Sequence, residues 1–196
     1  KSKKIVDLAR DLESTVVTTH IGVIPEENND TRKIMQDACN ELGAYADSVG
    51  AKFAIETGPE PIKTLKRFID ELDTDGIRVN YDPANLVMVT GDDPVAGVRL
   101  IGKYIVHTHA KDGIMKQKTD PKRIYDYFAE GGIDDLRLSD YFLETPLGKG
   151  SVDFPAYLAA LKEVGYSGFL TIEREVGENP ERDIRDAVEF LKRLIG

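Results

Sequence analysis

Five side chains that can bind a metal ion or transfer a proton stand at the ends of five short apolar segments. These residues are His20, Glu56, Asp82, His109 and Glu173. If the segments are parallel strands of one α/β sheet or barrel, their carboxyl ends share a rim, and the five side chains meet there. Two glutamates, an aspartate and a histidine make an oxygen-rich ligand set, which favours manganese, magnesium or cobalt and leaves zinc as an alternative.

The chain contains three histidines, and two of them lie in the segment from Tyr104 to Asp112. Alternate side chains of a strand share a face, so His107 and His109 point the same way. His109 would lie at the rim and His107 in the layer beneath it. The residues two positions before the other strand ends are Thr18, Ala54, Asn80 and Thr171. They are small or polar, as is typical of a layer under a site.

The surrounding segments alternate between strand and helix patterns. β-Branched and apolar runs predict strands over residues 14–20, 52–57, 77–82, 104–108 and 168–173. Helical spacing and capping residues predict helices over residues 3–13, 31–48, 61–72, 94–102 and 153–164 and from residue 180 onward. Such alternation predicts a parallel sheet with right-handed crossovers. A long excursion over residues 113–150, with a short helix over 122–128, interrupts the order and would close over the site.

Three predicted helices carry apolar residues at helical spacing, and the second of these stripes is expected to be buried. The first stripe consists of Ile5, Leu8, Ala9 and Leu12. The second consists of Ile34, Ala38, Leu42, Tyr45 and Val49. The last consists of Ile184, Val188, Leu191 and Ile195.

Composition narrows the classes of function. The chain has 196 residues, of which 35 are acidic and 26 are basic, for a net charge of −9. This charge repels phosphate backbones and disfavours nucleic acid as a partner. Cys39 is the only cysteine, so no disulfide can form within the chain. No apolar run is long enough for a membrane and no signal peptide is recognisable, so a cytoplasmic location is expected.

Five motifs surround the candidate residues. They are Ala54-Ile-Glu56, Asn80-Tyr-Asp-Pro-Ala-Asn85, His107-Thr-His-Ala-Lys-Asp112, Pro146-Leu-Gly-Lys-Gly-Ser-Val-Asp153 and Gly165-Tyr-Ser-Gly-Phe-Leu-Thr-Ile-Glu173. With these motifs, which extend over most of its length, the chain resembles the sugar phosphate isomerase/epimerase superfamily. Proteins of that superfamily have a xylose-isomerase-like TIM barrel, and they include ketose 3-epimerases and hydroxypyruvate isomerases.

The resemblance implies a divalent metal ion bound by Glu56, Asp82, His109 and Glu173, with manganese expected and magnesium, cobalt or zinc as alternatives. It also implies that Glu56 and Glu173 flank a substrate carbon and move its proton through an ene-diolate. The substrate would be a small sugar or sugar phosphate. The candidates for binding its oxygens are His20, Asn85, His107 and Lys111.

A complete barrel of this family has eight strand–helix units and about 250 residues. Only five strands are predicted here, and the first element is a helix. The matched ligands fall on the last four strands of the family barrel. We therefore expect one domain over residues 1–196, a partial TIM barrel of about five parallel strands without the three N-terminal strands. A homo-oligomer could complete it.

Three other functions compete with an isomerase. A lyase that dehydrates a keto-inositol or a related cyclic polyol would use the same enolisation and expel hydroxide. A nuclease of the endonuclease IV type shares the barrel, but it needs more histidines, and Asn85 stands where one of them would be. A domain that binds metal or sugar without catalysis is the remaining alternative.

Overall fold

The structure, a computed structural model of the chain, describes residues 1–130 and 136–196. Its strands are β1 (Val16–Thr19), β2 (Lys52–Glu56), β3 (Ile77–Tyr81), β4 (Ile105–Ala110), β5 (Asp112–Met115), β6 (Phe142–Thr145) and β7 (Leu170–Ile172). Its α-helices are α1 (Ser2–Asp11), α2 (Asp30–Ser48), α3 (Ile62–Asp70), α4 (Pro83–Asn85), α5 (Pro94–Ile101), α6 (Pro121–Glu130), α7 (Leu138–Tyr141), α8 (Phe154–Glu163) and α9 (Pro180–Ile195). A π-helical turn (Leu86–Thr90) follows α4, and a 3₁₀ turn (Gly102–Tyr104) precedes β4.

Five parallel strands form the main sheet, in the order β1-β2-β3-β4-β7. The prediction of a partial TIM barrel with about five parallel strands is confirmed. All five carboxyl ends therefore lie at one rim, where barrel enzymes carry their active sites. In this sheet β1 and β7 are the edge strands. The absence of three N-terminal strands from a longer barrel stays a prediction.

Three helices, α2, α5 and α8, begin where the sequence places capping residues. The side chain of Asn29 accepts a hydrogen bond from the Arg32 amide at 2.9 Å and caps α2. Asp93 and Asp153 cap α5 and α8 in the same way. Each cap satisfies an amide that the first turn of a helix leaves without a partner.

The core lies where the helices cover the sheet. Strand side chains in it include Phe53, Ile55, Ile77, Val79 and Ile105. Helix side chains in it include Leu65, Phe68, Val98, Ile101, Tyr157 and Leu161. Full burial of one such side chain contributes about 1.5–3 kcal/mol to the free energy of unfolding.

The expected buried stripe of α2 is wrong in part, and the apolar stripes of α1 and α9 are buried only in part. In α1 the buried residue is Val6, whereas Ile5 and Leu8 are exposed. In α2 the buried residues are Arg32, Cys39, Gly43 and Ala46, and Ile34 is exposed. In α9 the buried residues are Ala187 and Leu191, whereas Ile184 and Ile195 are exposed. The neighbouring elements determine which face of a helix is buried. The spacing of apolar residues along the helix does not show where those neighbours lie.

The excursion after β4 is more ordered than the sequence suggests. β5 and β6 form an antiparallel hairpin, and α6 contains the predicted short helix. Residues 131–135 of the predicted excursion lie outside the described residues. Closure of the excursion over the site stays a prediction.

Asp112 anchors the hairpin to the loop before α8. Its buried carboxylate accepts hydrogen bonds from the amides of Gly113, Gly148, Gly150 and Val152 at 2.8–3.1 Å. The sequence motif Gly148-Lys-Gly150 therefore has a structural role. A side chain at Gly150 would begin 2.1 Å from the Asp112 carboxylate, so only glycine fits there.

Candidate metal centre and active site

Four side chains from neighbouring strand ends converge at the rim. Glu56, Asp82, His109 and Glu173 each place one potential ligand atom within 4.8 Å of all the others. The Nδ1 atom of His109 faces three carboxylates, at 3.2 Å from Glu173, 3.3 Å from Asp82 and 3.7 Å from Glu56. The four residues that the sequence selects as metal ligands are thus brought together. We call them the rim cluster.

Strand order decides where each member of the rim cluster stands. Asp82 and His109 come from the central strands β3 and β4. Glu56 comes from β2 on one side and Glu173 follows β7 on the other. The two glutamates therefore approach from the two flanks, and the other two members lie between them.

Asp82 uses its two carboxylate oxygens differently. Oδ1 accepts hydrogen bonds from the amides of Ala84 and Asn85 at 2.8 and 3.0 Å, so it caps α4. Oδ2 faces His109. The Asp82 amide also donates to Thr57 Oγ1 at 2.8 Å, which ties the ends of β2 and β3 together. Because the cap fixes the side chain, the free oxygen is aimed at the cluster before any ligand arrives.

A polar layer supports the rim cluster from below. The Asn80 amide nitrogen lies 3.2 Å from both Glu56 Oε2 and His109 Nε2. Asn80 Oδ1 lies 2.9 Å from His107 Nδ1, and Thr171 Oγ1 lies 2.9 Å from His107 Nε2. Both ring nitrogens of His107 thus contact protein groups, which fits a supporting position. Its contact with substrate stays a prediction.

Two further predicted residues surround Glu56. The side-chain amide of Asn85 donates a hydrogen bond to Glu56 Oε1 at 3.1 Å, and His20 Nε2 lies 3.4 Å from the same oxygen. The His20 ring also meets the Tyr125 ring edge-on at 5.2 Å. Tyr125 brings α6 to the rim, a contact that the sequence does not reveal.

Lys111 is buried among carboxylates. Its Nζ donates to Glu173 Oε2 at 2.9 Å, contacts Glu175, and lies 3.7 Å from Glu144. Arg174 also pairs with Glu144, at 2.8 Å. Lys111 therefore holds the Glu173 side chain in place, and its ammonium is already engaged by protein groups. Its contact with a substrate phosphate or carboxylate stays a prediction.

The two glutamates of the rim cluster have different electrostatic surroundings. Burial and the charge of Asp82 raise the pKa of Glu56 to about 7. Burial also acts to raise the pKa of Glu173, but the hydrogen bond to His109 and the charge of Lys111 outweigh it and lower that pKa to about 2. Burial acts to lower the pKa of His109, but Asp82 and Glu173 hold it at about 10.

The donor set fits a divalent cation. Three carboxylates and one imidazole are the ligands that magnesium, manganese and zinc accept in proteins. Without a metal, a proton on His109 and the ammonium of Lys111 balance the negative charge of the carboxylates. A divalent ion between the four residues would replace the His109 proton and supply that positive charge.

Comparison with known proteins assigns the family. A family model described as xylose isomerase-like TIM barrel matches residues 1–194. The chain belongs to this family. The resemblance inferred from its motifs is therefore confirmed.

Curated relatives of several functions are similar to the chain. An uncharacterised protein from Methanocaldococcus jannaschii is 27% identical over 97% of this chain and 59% of its own length. An inosose dehydratase from Lacticaseibacillus casei is 24% identical over 77% of this chain and 49% of its own length. An inosose isomerase from Bacillus subtilis is 26% identical over 90% of this chain and 58% of its own length. The chain thus spans between about half and three fifths of these relatives.

Solved structures share the fold. A xylose isomerase domain protein from Planctomyces limnophilus superimposes with a TM-score of 0.79 at 29% identity, over 98% of this chain and 62% of its own. A Mycobacterium smegmatis protein described as a xylose isomerase-like TIM barrel in complex with magnesium superimposes with a TM-score of 0.72 at 20% identity. The match covers 98% of this chain and 65% of that protein. The IOLI protein with a bound zinc atom superimposes with a TM-score of 0.67 at 20% identity. The match covers 98% of this chain and 66% of that protein.

Sequence reasoning missed several residues at the rim. Asn80 was visible only as a member of the layer two residues before the strand ends. Glu144 belongs to β6, and nothing in its local sequence connects it with Lys111.

Among the helices that the structure describes, none has the length and apolar character needed to cross a bilayer.

Proposed function

We propose that the chain carries the catalytic centre of a divalent-metal-dependent isomerase or epimerase that acts on a small polyhydroxy ketone. The observation that carries the proposal is the rim cluster, with an oxygen-rich donor set at the shared end of four parallel strands. Manganese is the expected ion, and magnesium, cobalt and zinc are the alternatives. We propose that the protein is a soluble cytoplasmic enzyme of carbohydrate metabolism.

In this proposal Glu56, Asp82, His109 and Glu173 hold the metal. When bound, the metal acts as a Lewis acid that makes the carbon next to a substrate carbonyl more acidic. Glu56 and Glu173 approach from opposite flanks of the cluster, so one can remove a proton and the other can return it. Return to the opposite face of the same carbon gives an epimer, and return to the neighbouring carbon interconverts an aldose and a ketose.

The residues around the two glutamates have positioning roles in this proposal. Asn85 and His20 contact Glu56 from the rim side and are placed to bind substrate oxygens beside it. Lys111 fixes the Glu173 carboxylate. Asn80 supports Glu56 and His109 from below.

The test is solvent deuterium exchange on a panel of ketoses, ketose phosphates and an inosose, with manganese or magnesium added. We expect one substrate to gain deuterium next to its carbonyl and to yield an isomer without loss of water. Glu56→Gln and Glu173→Gln should each lower the exchange rate by at least a hundredfold. Glu178→Gln is the matched control, because Glu178 lies exposed in the loop that follows Glu173. Unchanged exchange and metal affinity in both active-site variants would refute the proposal.

A dehydratase is the second candidate, and the similarity to inosose dehydratases over 77% of the chain favours it. It would use the same proton abstraction, but hydroxide would leave the β-carbon. A product lighter by one water molecule, with an absorbing enone or diketone, distinguishes it from the isomerase. Metal binding with neither reaction would indicate a binding domain.

A further inference from the structure

Glu60 is a buried carboxyl group that the rim cluster does not use. It lies in the loop between β2 and α3 and is 2% exposed. Its Oε2 atom accepts a hydrogen bond from the Ile24 amide at 3.2 Å. Its Oε1 atom is buried and has no hydrogen-bond partner in the part of the chain that the structure describes. Because a buried polar atom without a partner costs about 1–3 kcal/mol, this atom needs an explanation.

Glu60 lines a cavity of about 330 Å³ at the same rim as the cluster. Small-molecule sites in proteins occupy about 300–1,000 Å³. The apolar side chains of its wall are Val23, Ile24, Pro25, Pro59, Pro61 and Val89. The cavity thus combines apolar walls with one buried polar group, as small-molecule sites do. None of the four cluster residues lines it.

The charges around the cavity favour a neutral ligand. Its lining includes two exposed acidic and two exposed basic residues, which are Glu26, Asp120, Lys118 and Lys122. They balance in sign, so the opening does not select a cation or an anion. An anion would also meet the Glu60 carboxyl inside. Burial raises the pKa of Glu60 to about 8, so near neutral pH the group both donates and accepts hydrogen bonds.

A hydroxyl group matches this behaviour, since it too donates and accepts. The carbon-bound hydrogens of a cyclic polyol can pack against the proline and valine walls. We propose that the Glu60 cavity binds a small neutral polyol, with one hydroxyl hydrogen-bonded to Glu60. This site is separate from the rim cluster and goes beyond the proposed reaction.

The test uses myo-inositol as the probe, titrated into the full chain by calorimetry and followed by the amide resonance of Ile24. That amide reports on the cavity because it donates to Glu60. We expect binding, with a shift of this resonance, in the unaltered chain and in Glu60→Gln, which keeps a donor and an acceptor. Glu60→Leu should weaken binding at least tenfold. Val23→Phe, which adds bulk to the lining of the cavity and leaves Glu60 in place, should do the same if Glu60→Leu fails to fold.

Two further measurements separate this site from the rim cluster. Glu173→Gln and removal of metal should leave myo-inositol affinity unchanged, whatever they do to turnover. Loss of binding in Glu173→Gln would place the probe at the cluster and overturn the Glu60 assignment. Absence of any binding, or equal binding in Glu60→Leu and Val23→Phe, would also overturn it, because the cavity then holds only solvent.

Discussion

Glu60 should make the free energy of unfolding depend on pH. Burial raises its pKa from an ordinary 4.5 to about 8 in the folded chain. The folded state therefore binds the proton more tightly than the unfolded state. Stability is then fully present below pH 4.5 and is lost as the pH rises towards 8. Integrated from pH 5 to pH 8, the loss from this one group is about 3.5 kcal/mol.

Glu60→Gln removes this dependence, because glutamine does not titrate. A shift of about 2–4 °C per kcal/mol is expected for a chain of this size. The melting temperature of the unaltered chain, relative to that of Glu60→Gln, should therefore fall by about 7–14 °C between pH 5 and pH 8. Differential scanning calorimetry at several pH values, in the absence of added polyol, measures this difference directly.

Comparison with the variant cancels the titration of all other groups, including Glu56. Glu27→Gln is the control, since Glu27 is exposed in the loop before α2. Its melting temperatures should follow those of the unaltered chain at each pH. If the difference between the unaltered chain and Glu60→Gln is constant from pH 5 to pH 8, Glu60 is solvated in the folded state. Both the burial argument and the cavity assignment would then fail.

Three further substitutions test the supports of the site. Asp112→Ala should lower the free energy of unfolding by about 3 kcal/mol or more, measured by urea denaturation, because four backbone amides lose their acceptor. Lys111→Met should lower the free energy of unfolding by about 3–5 kcal/mol in the same assay, because the buried Glu144 carboxylate loses one of its cationic partners. Lys111→Arg keeps the positive charge and should recover part of the loss. Gly58→Ala should cost about 1–3 kcal/mol and alter the Tyr125 resonances, because Gly58 has a φ of +136° and a Cβ there would begin 2.6 Å from the Tyr125 hydroxyl. Wild-type stability in any of these variants would contradict the corresponding contact.

The parallel sheet and the shared rim could be predicted because both follow from local patterns. β-Branched runs mark the strands, and parallel strands must bring their carboxyl ends to one rim. The positions at those ends then give five candidate residues without knowledge of any distance, and the resemblance to the family selects the four of the rim cluster. In β4 the strand extends to Ala110, two residues beyond the prediction, yet His109 keeps its place because the alternation of side chains does not depend on where the strand stops.

The contacts between distant segments could not be predicted. Glu144 meets Lys111 only because the hairpin of β5 and β6 folds back to the rim. Glu60 looks like an ordinary loop glutamate until the Ile24 loop covers it. The exposed apolar residues of α1 and α9 show the same limit, since amphipathic spacing does not reveal which neighbour is present to cover a helix. Local sequence encodes the direction of a side chain, whereas its burial is a property of the whole fold.

The difference between the two cluster glutamates follows from sheet topology. Glu173 leaves the sheet at β7, where Lys111 lies directly beside it. Glu56 leaves at β2, and its neighbours Asn85 and Asn80 are neutral amides. Lys111 is buried and contacts three carboxylates, and its charge favours the ionised form of Glu173 before a metal binds. Without metal, Glu173 is therefore ionised near neutral pH, whereas Glu56 holds a proton over part of that range, and a metal ion must displace this proton when it binds. Exchange of Lys111 for methionine should raise the pKa of Glu173 and move the acid side of the pH profile of deuterium exchange to higher pH, whereas a shift of the alkaline side alone would contradict the assignment.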